Sequence, residues 1–299
     1  MSAAKGSGLA TLGLLGVTAV WGSTFVMIKD VVGRMPPIDF LAVRFSIAAV
    51  TMLVLFAVPL RRLGRAQTLR GLALGVLYGI AQWLQTEGLA LTSPSVSGFV
   101  TGMYVVITPI LALLLFRQRM PLSTWGAVVL AMFGLGVLAL NGFSMDLGVL
   151  LTLGSAALYA LHIVGLGHWS KPGDAFGMSA IQMIGIAAVC LLATLPHGGP
   201  MLPPDTSAWV ATLYMALIAG ALAMLVQTWA QAHMPATRAA IVMTTEPVFA
   251  AGFAVALGVD QLTTRMLVGG GLVLVAMYMV ELAPRLRRRK SAEALHHEV

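Results

Sequence analysis

The chain reads as an all-α integral membrane protein: ten transmembrane helices arranged as two inverted five-helix repeats, with N- and C-termini cytoplasmic. Three observations predict this. The 299 residues are 59% hydrophobic and only 10% charged, with a mean hydropathy of +0.91. A soluble domain carries roughly 25% charged residues, so lipid must be the solvent for much of this surface. The basic residues fall mostly on one side of the membrane, and the sequence carries a weak internal repeat.

A crossing needs about 20 mostly apolar residues. Such stretches occur near residues 8–28, 38–58, 71–91, 95–116, 122–140, 147–167, 176–195, 208–230, 237–258 and 264–283. Pro36-Pro37, Pro59, Pro121, Pro196 and Pro203-Pro204 punctuate the short connections, as expected where helices stop. With the N-terminus inside, fourteen of the eighteen Lys and Arg residues are cytoplasmic: Lys5, the four arginines of 61–70, Arg117, Arg119, Lys171, Arg238 and the five of 285–290. Lys29, Arg34, Arg44 and Arg265 lie on the other side. The positive-inside rule therefore puts both ends in the cytoplasm. The net charge of +7 follows from these helix flanks and does not call for a nucleic-acid partner. Lys5 before an apolar run imitates a secretory leader, but residues 8–28 are long enough to cross and nine further spans follow. Cys190, the single cysteine, lies inside a span, which excludes an internal disulfide and a cysteine-based metal site.

The repeat shows as matched positions. Trp21, Thr24 and Pro109 lie 138 residues before Tyr159, His162 and Pro247; Gln85-Thr86 lies 142 before Gln227-Thr228, and Pro94 lies 141 before Pro235. The expected units are residues 1–141 and 142–284, followed by a basic cytoplasmic tail, 285–299. An odd number of spans per half inverts the second half, an organisation found in secondary transporters.

Polar groups in lipid are costly, so their positions carry information. Tyr78, Gln82 and Gln85 share one helical face, beside a stripe of Gly71, Gly75 and Gly79 suited to close helix contact. Ser155, Tyr159 and His162 repeat the spacing in the sixth span, and Thr18, Trp21 and Phe25 form the related stripe in the first, with Thr24 beside it. These faces suit a cavity wall; they suit equally neutral amides gluing helices, and rings filling space. Aromatic rings there offer cation–π attraction to an ammonium group. Glu246 stands about mid-span before Pro247, and Thr108 before Pro109. Both prolines are candidate hinges, since each frees a carbonyl one turn back. The structural alternative for Glu246 is a cap on a neighbouring helix or a pair with Arg. Glu87 is expected to reach water at the outer surface, Arg44 to snorkel outward, and Glu281 to sit at the cytoplasmic edge. The middle third of every span lacks Lys and Arg, which argues against phosphorylated cargo. No Walker loop and no His-Glu-x-x-His pattern is present. The chain is therefore not expected to be an enzyme or to need a cofactor or metal.

Trp21-Gly22-Ser23-Thr24-Phe25, Arg44-Phe45, Thr92-Ser93-Pro94, Thr108-Pro109, the stretch Pro235 to Ala240, Glu246-Pro247-Val248 and the glycines of the fifth and tenth spans resemble the EamA family of the drug/metabolite transporter superfamily, over residues 8–283. The family's Gly-Glu-Arg-Leu stands here as Arg117-Gln118-Arg119-Met120 and Val259-Asp260-Gln261-Leu262: the acid is lost in one copy and shortened in the other. Within the superfamily the chain is most similar to bacterial YddG-type amino-acid exporters. The resemblance implies a multi-pass inner-membrane transporter that exports amino acids or similar small metabolites by alternating access through a central cavity. Trp21, Thr24, Tyr78, Gln82, Gln85, Tyr159, His162 and Glu246 would line that cavity, with the Gln amides binding a carboxylate and a proton as candidate coupling ion. A multidrug or quaternary-ammonium exporter and a non-transporting membrane scaffold are the competing readings.

Overall fold

The computed structural model describes residues 2–116, 122–141, 144–171, 173–234, 239 and 242–279. The loop motif Arg117–Met120, Pro121, Pro235, Arg238, Glu281 and the basic tail fall outside these residues. Among the described residues the chain is helical, apart from a two-residue antiparallel ladder, Leu140–Asn141 with Ser144–Met145. The helices are α1 (Ser2–Val32), α2 (Pro37–Arg61), α3 (Arg65–Leu91), α4 (Pro94–Thr101), α5 (Tyr104–Phe116), α6 (Leu122–Ala139), α7 (Leu147–Trp169), α8 (Ala175–Thr194), α9 (Thr206–Ala216), α10 (Ala223–His233), α11 (Glu246–Ala256) and α12 (Thr264–Met279).

Among the described residues six helical stretches are long and apolar enough to cross a membrane: Gly8–Val32, Pro37–Arg61, Pro94–Leu115, Leu147–Trp169, Ala175–His197 and Thr206–His233. Trp125–Val137, Glu246–Ala256 and Thr264–Met279 are apolar but shorter. α3 has 27 residues, about 40 Å of helix at ~1.5 Å per residue; its polar face keeps it out of the apolar set. Val54, Leu55, Leu114, Val129, Met132 and Phe133 are exposed, a surface that water penalises and hydrocarbon accepts. The chain is a multi-pass membrane protein.

Prolines and caps set the helix boundaries. Pro37 opens α2 at a position whose missing N–H costs nothing. Ser93 caps α4 by accepting from Val96 N at 3.3 Å, with Pro94 behind it. Asp260, the shortened acid of the second loop motif, accepts from Ser95 N at 2.9 Å, so it too holds the start of α4. Gly258 ends α11 at φ +70°, a left-handed conformation that side chains resist. Two interruptions were not expected from sequence. The eighth span carries a π segment, Leu217–Leu222, between α9 and α10, and the fourth breaks at Gly102–Met103 into α4 and α5. Pro109 lies in the second turn of α5, and the break in the helix falls before it, at Gly102–Met103. The space a Cβ would need at Gly102 is filled by Pro247 and Met277. Pro247 sits in the first turn of α11, just after the turn at Thr244-Thr245.

The glycine stripe of α3 packs on α8. A Cβ at Gly75 would strike the Gln182 backbone, and one at Gly79 would come 3.2 Å from Ile186 Cα. α3 also packs along α7, and α1 against α10 and α11. The core between them includes Phe40, Phe45, Met183, Ile186 and Met215.

One end of the bundle is tied by charge. Lys29 Nζ donates to the carbonyls of Leu89, Ala90 and Thr92 at 3.0, 2.8 and 2.8 Å, capping α3. Arg34 pairs with Asp30 and, at 2.6 Å, with Asp205. Asp205 also caps α9 by accepting from Ala208 N at 2.8 Å. That bond first, then Arg34, holds the Asp205 carboxyl below the usual carboxylate range. A carboxyl whose folded pKa is depressed stabilises above its unfolded pKa and loses that contribution as pH falls through the folded value. Asp205→Ala is therefore expected to lower the unfolding midpoint at neutral pH. The gap to wild type should close as pH drops below the carboxylate range, in a thermal-shift titration of detergent-solubilised protein. A gap that persists at acid pH would exclude this carboxylate as its source.

Candidate central cavity

α3 presents Tyr78, Gln82 and Gln85 on one face, beside its glycine stripe, because residues four and seven apart share one side of a helix. Tyr159 and His162 of α7 face them. Tyr159 is the hub: its hydroxyl accepts from Gln82 Nε2 at 2.6 Å and donates to Gln85 Oε1 at 2.8 Å. Gln82 Nε2 also reaches Gln85 Oε1 at 3.4 Å, and Gln85 Nε2 donates to Thr101 Oγ1 at 3.0 Å. The Tyr78 ring sits edge-on to Tyr159 and His162, with centroids at 5.1 and 4.9 Å. His162 Nε2 meets Gln182 Oε1 of α8 at 2.8 Å, at the level where Gly75 lets α8 approach.

From the other wall Tyr104, the first residue of α5, reaches Glu246, the first residue of α11: its hydroxyl lies 3.1 Å from both Glu246 Oε2 and Met243 O. The two helix breaks therefore meet across the cavity. Trp21 Nε1 donates to Ala219 O at 2.9 Å, inside the π segment, where the irregular backbone leaves carbonyls for side chains to take. Arg44 Nε takes Met215 O, one turn earlier, at 3.1 Å. Thr24 turns its hydroxyl onto Trp21 O.

Trp21, Thr24, Tyr78, Gln82, Gln85, Tyr159, His162 and Glu246 all line one internal cavity. Its volume is about 40 Å³. A water needs ~10–15 Å³ by that measure, so the space holds a few waters and no solute of amino-acid size. Three pairs matched in the internal repeat meet here: Trp21 and Tyr159, Thr24 and His162, Gln85 and Gln227. Pro109 and Pro247 stand outside the lining. Ser155 is fully buried on its own helix's backbone, and Thr18 bonds Thr245 at 2.9 Å.

Five polar lining residues, Arg44, Thr86, Thr101, Tyr104 and Gln227, escaped the expected cavity set. The pairing of Gln85-Thr86 with Gln227-Thr228 was the available signal for Gln227. Arg44 corrects two expectations. It does not snorkel outward: it is 3% exposed, with Phe45 and Phe40 ring centroids 4.8 and 5.9 Å from its Cζ. It also puts a guanidinium into a cavity expected to lack basic groups, so charge no longer argues against anionic cargo.

A family model described as the EamA-like transporter family matches the chain twice, over residues 8–140 and 146–282. The chain is 30% identical over 278 residues to an uncharacterized transporter of Archaeoglobus fulgidus, an alignment spanning 91% of this chain and 86% of that one. A crystal structure of a protein 19% identical in sequence has the same fold, at a TM-score of 0.66 over 93% of this chain and 98% of the other.

Proposed function

The chain belongs to the EamA-like transporter family, and from that premise we propose that it exports amino acids or similar small metabolites by alternating access through the central cavity. One observation carries the reading: polar and aromatic side chains from both halves of the chain converge on one narrow central space. A carrier needs such a constricted polar site between its halves, whereas a pore would keep a wide passage. In this reading residues 1–141 and 142–284 are inverted repeats that rock about the cavity, and residues 285–299 are a cytoplasmic tail. The chain crosses a bacterial inner membrane ten times. The end contacts support that sidedness. Lys29 with the α3 carboxyl end, Arg34 with Asp205 and Asp260 with Ser95 join segments that it assigns to the outer face. Gln67, which donates to Trp169 O and Asp174, joins segments assigned to the inner face. The gates are the broken helices at Gly102 and Thr244, with Pro109 and Pro247 easing the bend, and the proton is the coupling ion.

Proteoliposomes loaded with labelled amino acids test this: flux above empty vesicles is expected, and none for any amino acid would defeat it. A non-transporting scaffold would instead keep a dry centre. Cys190 is fully buried and is expected to stay silent to impermeant maleimides. Cysteine at position 82 or 159 should then label from one face or the other in a carrier and from neither in a scaffold. A quaternary-ammonium cargo is the remaining rival, favoured by the buried carboxylate and rings.

A further inference from the structure

The cavity has an uneven supply of hydrogen-bonding atoms. Gln82 directs its amide donors at Tyr159 and Gln85, and Gln85 directs one of its own at Thr101. The fully buried lining atoms without a partner are Gln82 Oε1, Gln227 Oε1 and Thr86 Oγ1, together with Arg44 Nη1. Two of these are pure acceptors, one is a hydroxyl, and one is a charged donor. The expectation that the glutamine amides bind a carboxylate is therefore poorly served, because Gln82 has already engaged its donors.

Arg44 is differently placed. Its Nε is fixed on Met215 O beside the π segment, and its plane lies among the Phe40 and Phe45 rings. Among the described residues no carboxylate stands within ion-pair distance of it. A buried guanidinium with a free N–H is costly. The cost is offset when an anion arrives, and a guanidinium matches a planar carboxylate through two parallel bonds. Resting on the transport reading above, we propose that Arg44 is the carboxylate-binding residue of the cavity. Gln82 Oε1, Gln227 Oε1 and Glu246 form the opposing pole that accepts from an ammonium group. The substrate class is then a small solute that is anionic at one end and a hydrogen-bond donor at the other, which separates zwitterions from simple cationic drugs.

The test is uptake into proteoliposomes of each of the twenty common amino acids, challenged by its own α-carboxamide. In wild type the amide should compete about tenfold or more weakly than the acid, the worth of a charge-assisted contact. Arg44→Gln should bring the two within about twofold, and Arg44→Lys, which keeps the charge but not the fork, should keep part of the preference. Amides that compete as well as acids in wild type overturn the assignment, and this measurement decides even if the variants do not fold. A folded Arg44→Gln protein that still prefers acids overturns it as well. If folded Arg44→Gln carries neither form, an Arg44→Lys protein that prefers acids supports it, and a folded but inert one overturns it. Failure of the transport reading looks different: no amino acid enters wild-type vesicles at all.

Discussion

Alanine at Gly75 is expected to lower the unfolding midpoint of the detergent-solubilised protein sharply, while alanine at Gly126 leaves it unchanged or raises it. Two effects of opposite sign compete. Replacing a helical glycine by alanine gains about 0.8–1 kcal/mol of helix propensity. Overfilling a packed contact costs about 1–3 kcal/mol, and more where backbone must move. At Gly126 nothing stands within 4 Å of the added carbon, so propensity decides. At Gly75 the obstacles are backbone atoms of Gln182, including its Cα at 2.9 Å and its carbonyl carbon at 3.0 Å, so α8 must retreat as a body. Gly71 falls between: its added carbon meets side chains and no backbone, Met178 Sδ, which can turn away, and the stiffer β-branched methyl of Ile181. The expected order of loss is Gly75, then Gly71, then Gly126. Because Gln182 also holds His162, the Gly75 variant should transport poorly even where it folds. Equal midpoints at 75 and 126 would mean that α3 and α8 do not approach as closely as described.

Glu246→Gln is expected to reduce flux of an ammonium-bearing cargo by about tenfold or more while leaving the unfolding midpoint nearly unchanged. The substitution keeps volume and an acceptor for the Tyr104 hydroxyl, so the link between the starts of α5 and α11 survives. What disappears is the negative charge. A hydrogen bond to a charged group contributes about 1.5–3 kcal/mol against about 1 for a neutral one, and each ~1.4 kcal/mol is a factor of ten. Tyr104→Phe is the complementary change: it removes the link and leaves the charge, and should cost stability more than selectivity. Unchanged flux in Glu246→Gln vesicles would take Glu246 off the substrate path and weaken the quaternary-ammonium rival with it.

The α3 reading succeeded because it needed only one helix. Which residues share a face follows from 3.6 residues per turn, and so does the placing of glycines beside glutamines. Trp21 with Tyr159 and Gln85 with Gln227, positions matched between the halves in sequence, line one cavity. Arg44 was misread because its distance from a predicted span end pointed to water. What holds it inside is Met215 O, 171 residues away. Tyr104 looked like any aromatic in an apolar run until the break at Gly102–Met103 set it at a helix start. Pro109 drew attention because proline removes a donor, whereas the interruption came at a glycine whose neighbours, Pro247 and Met277, belong to the other half.

Sequence by itself determined that this chain lives in lipid, where its apolar stretches lie and which helix faces are polar. Each of these follows from local period, length or composition, quantities that no partner segment can change. Only the tertiary structure decided which polar faces meet, where the fourth and eighth spans lose their regular helix, and that a guanidinium stands inside with a free N–H. Those depend on contacts between different helices, often far apart in the chain, where a single close approach, glycine on backbone or arginine on a carbonyl beside the π segment, outweighs local preference.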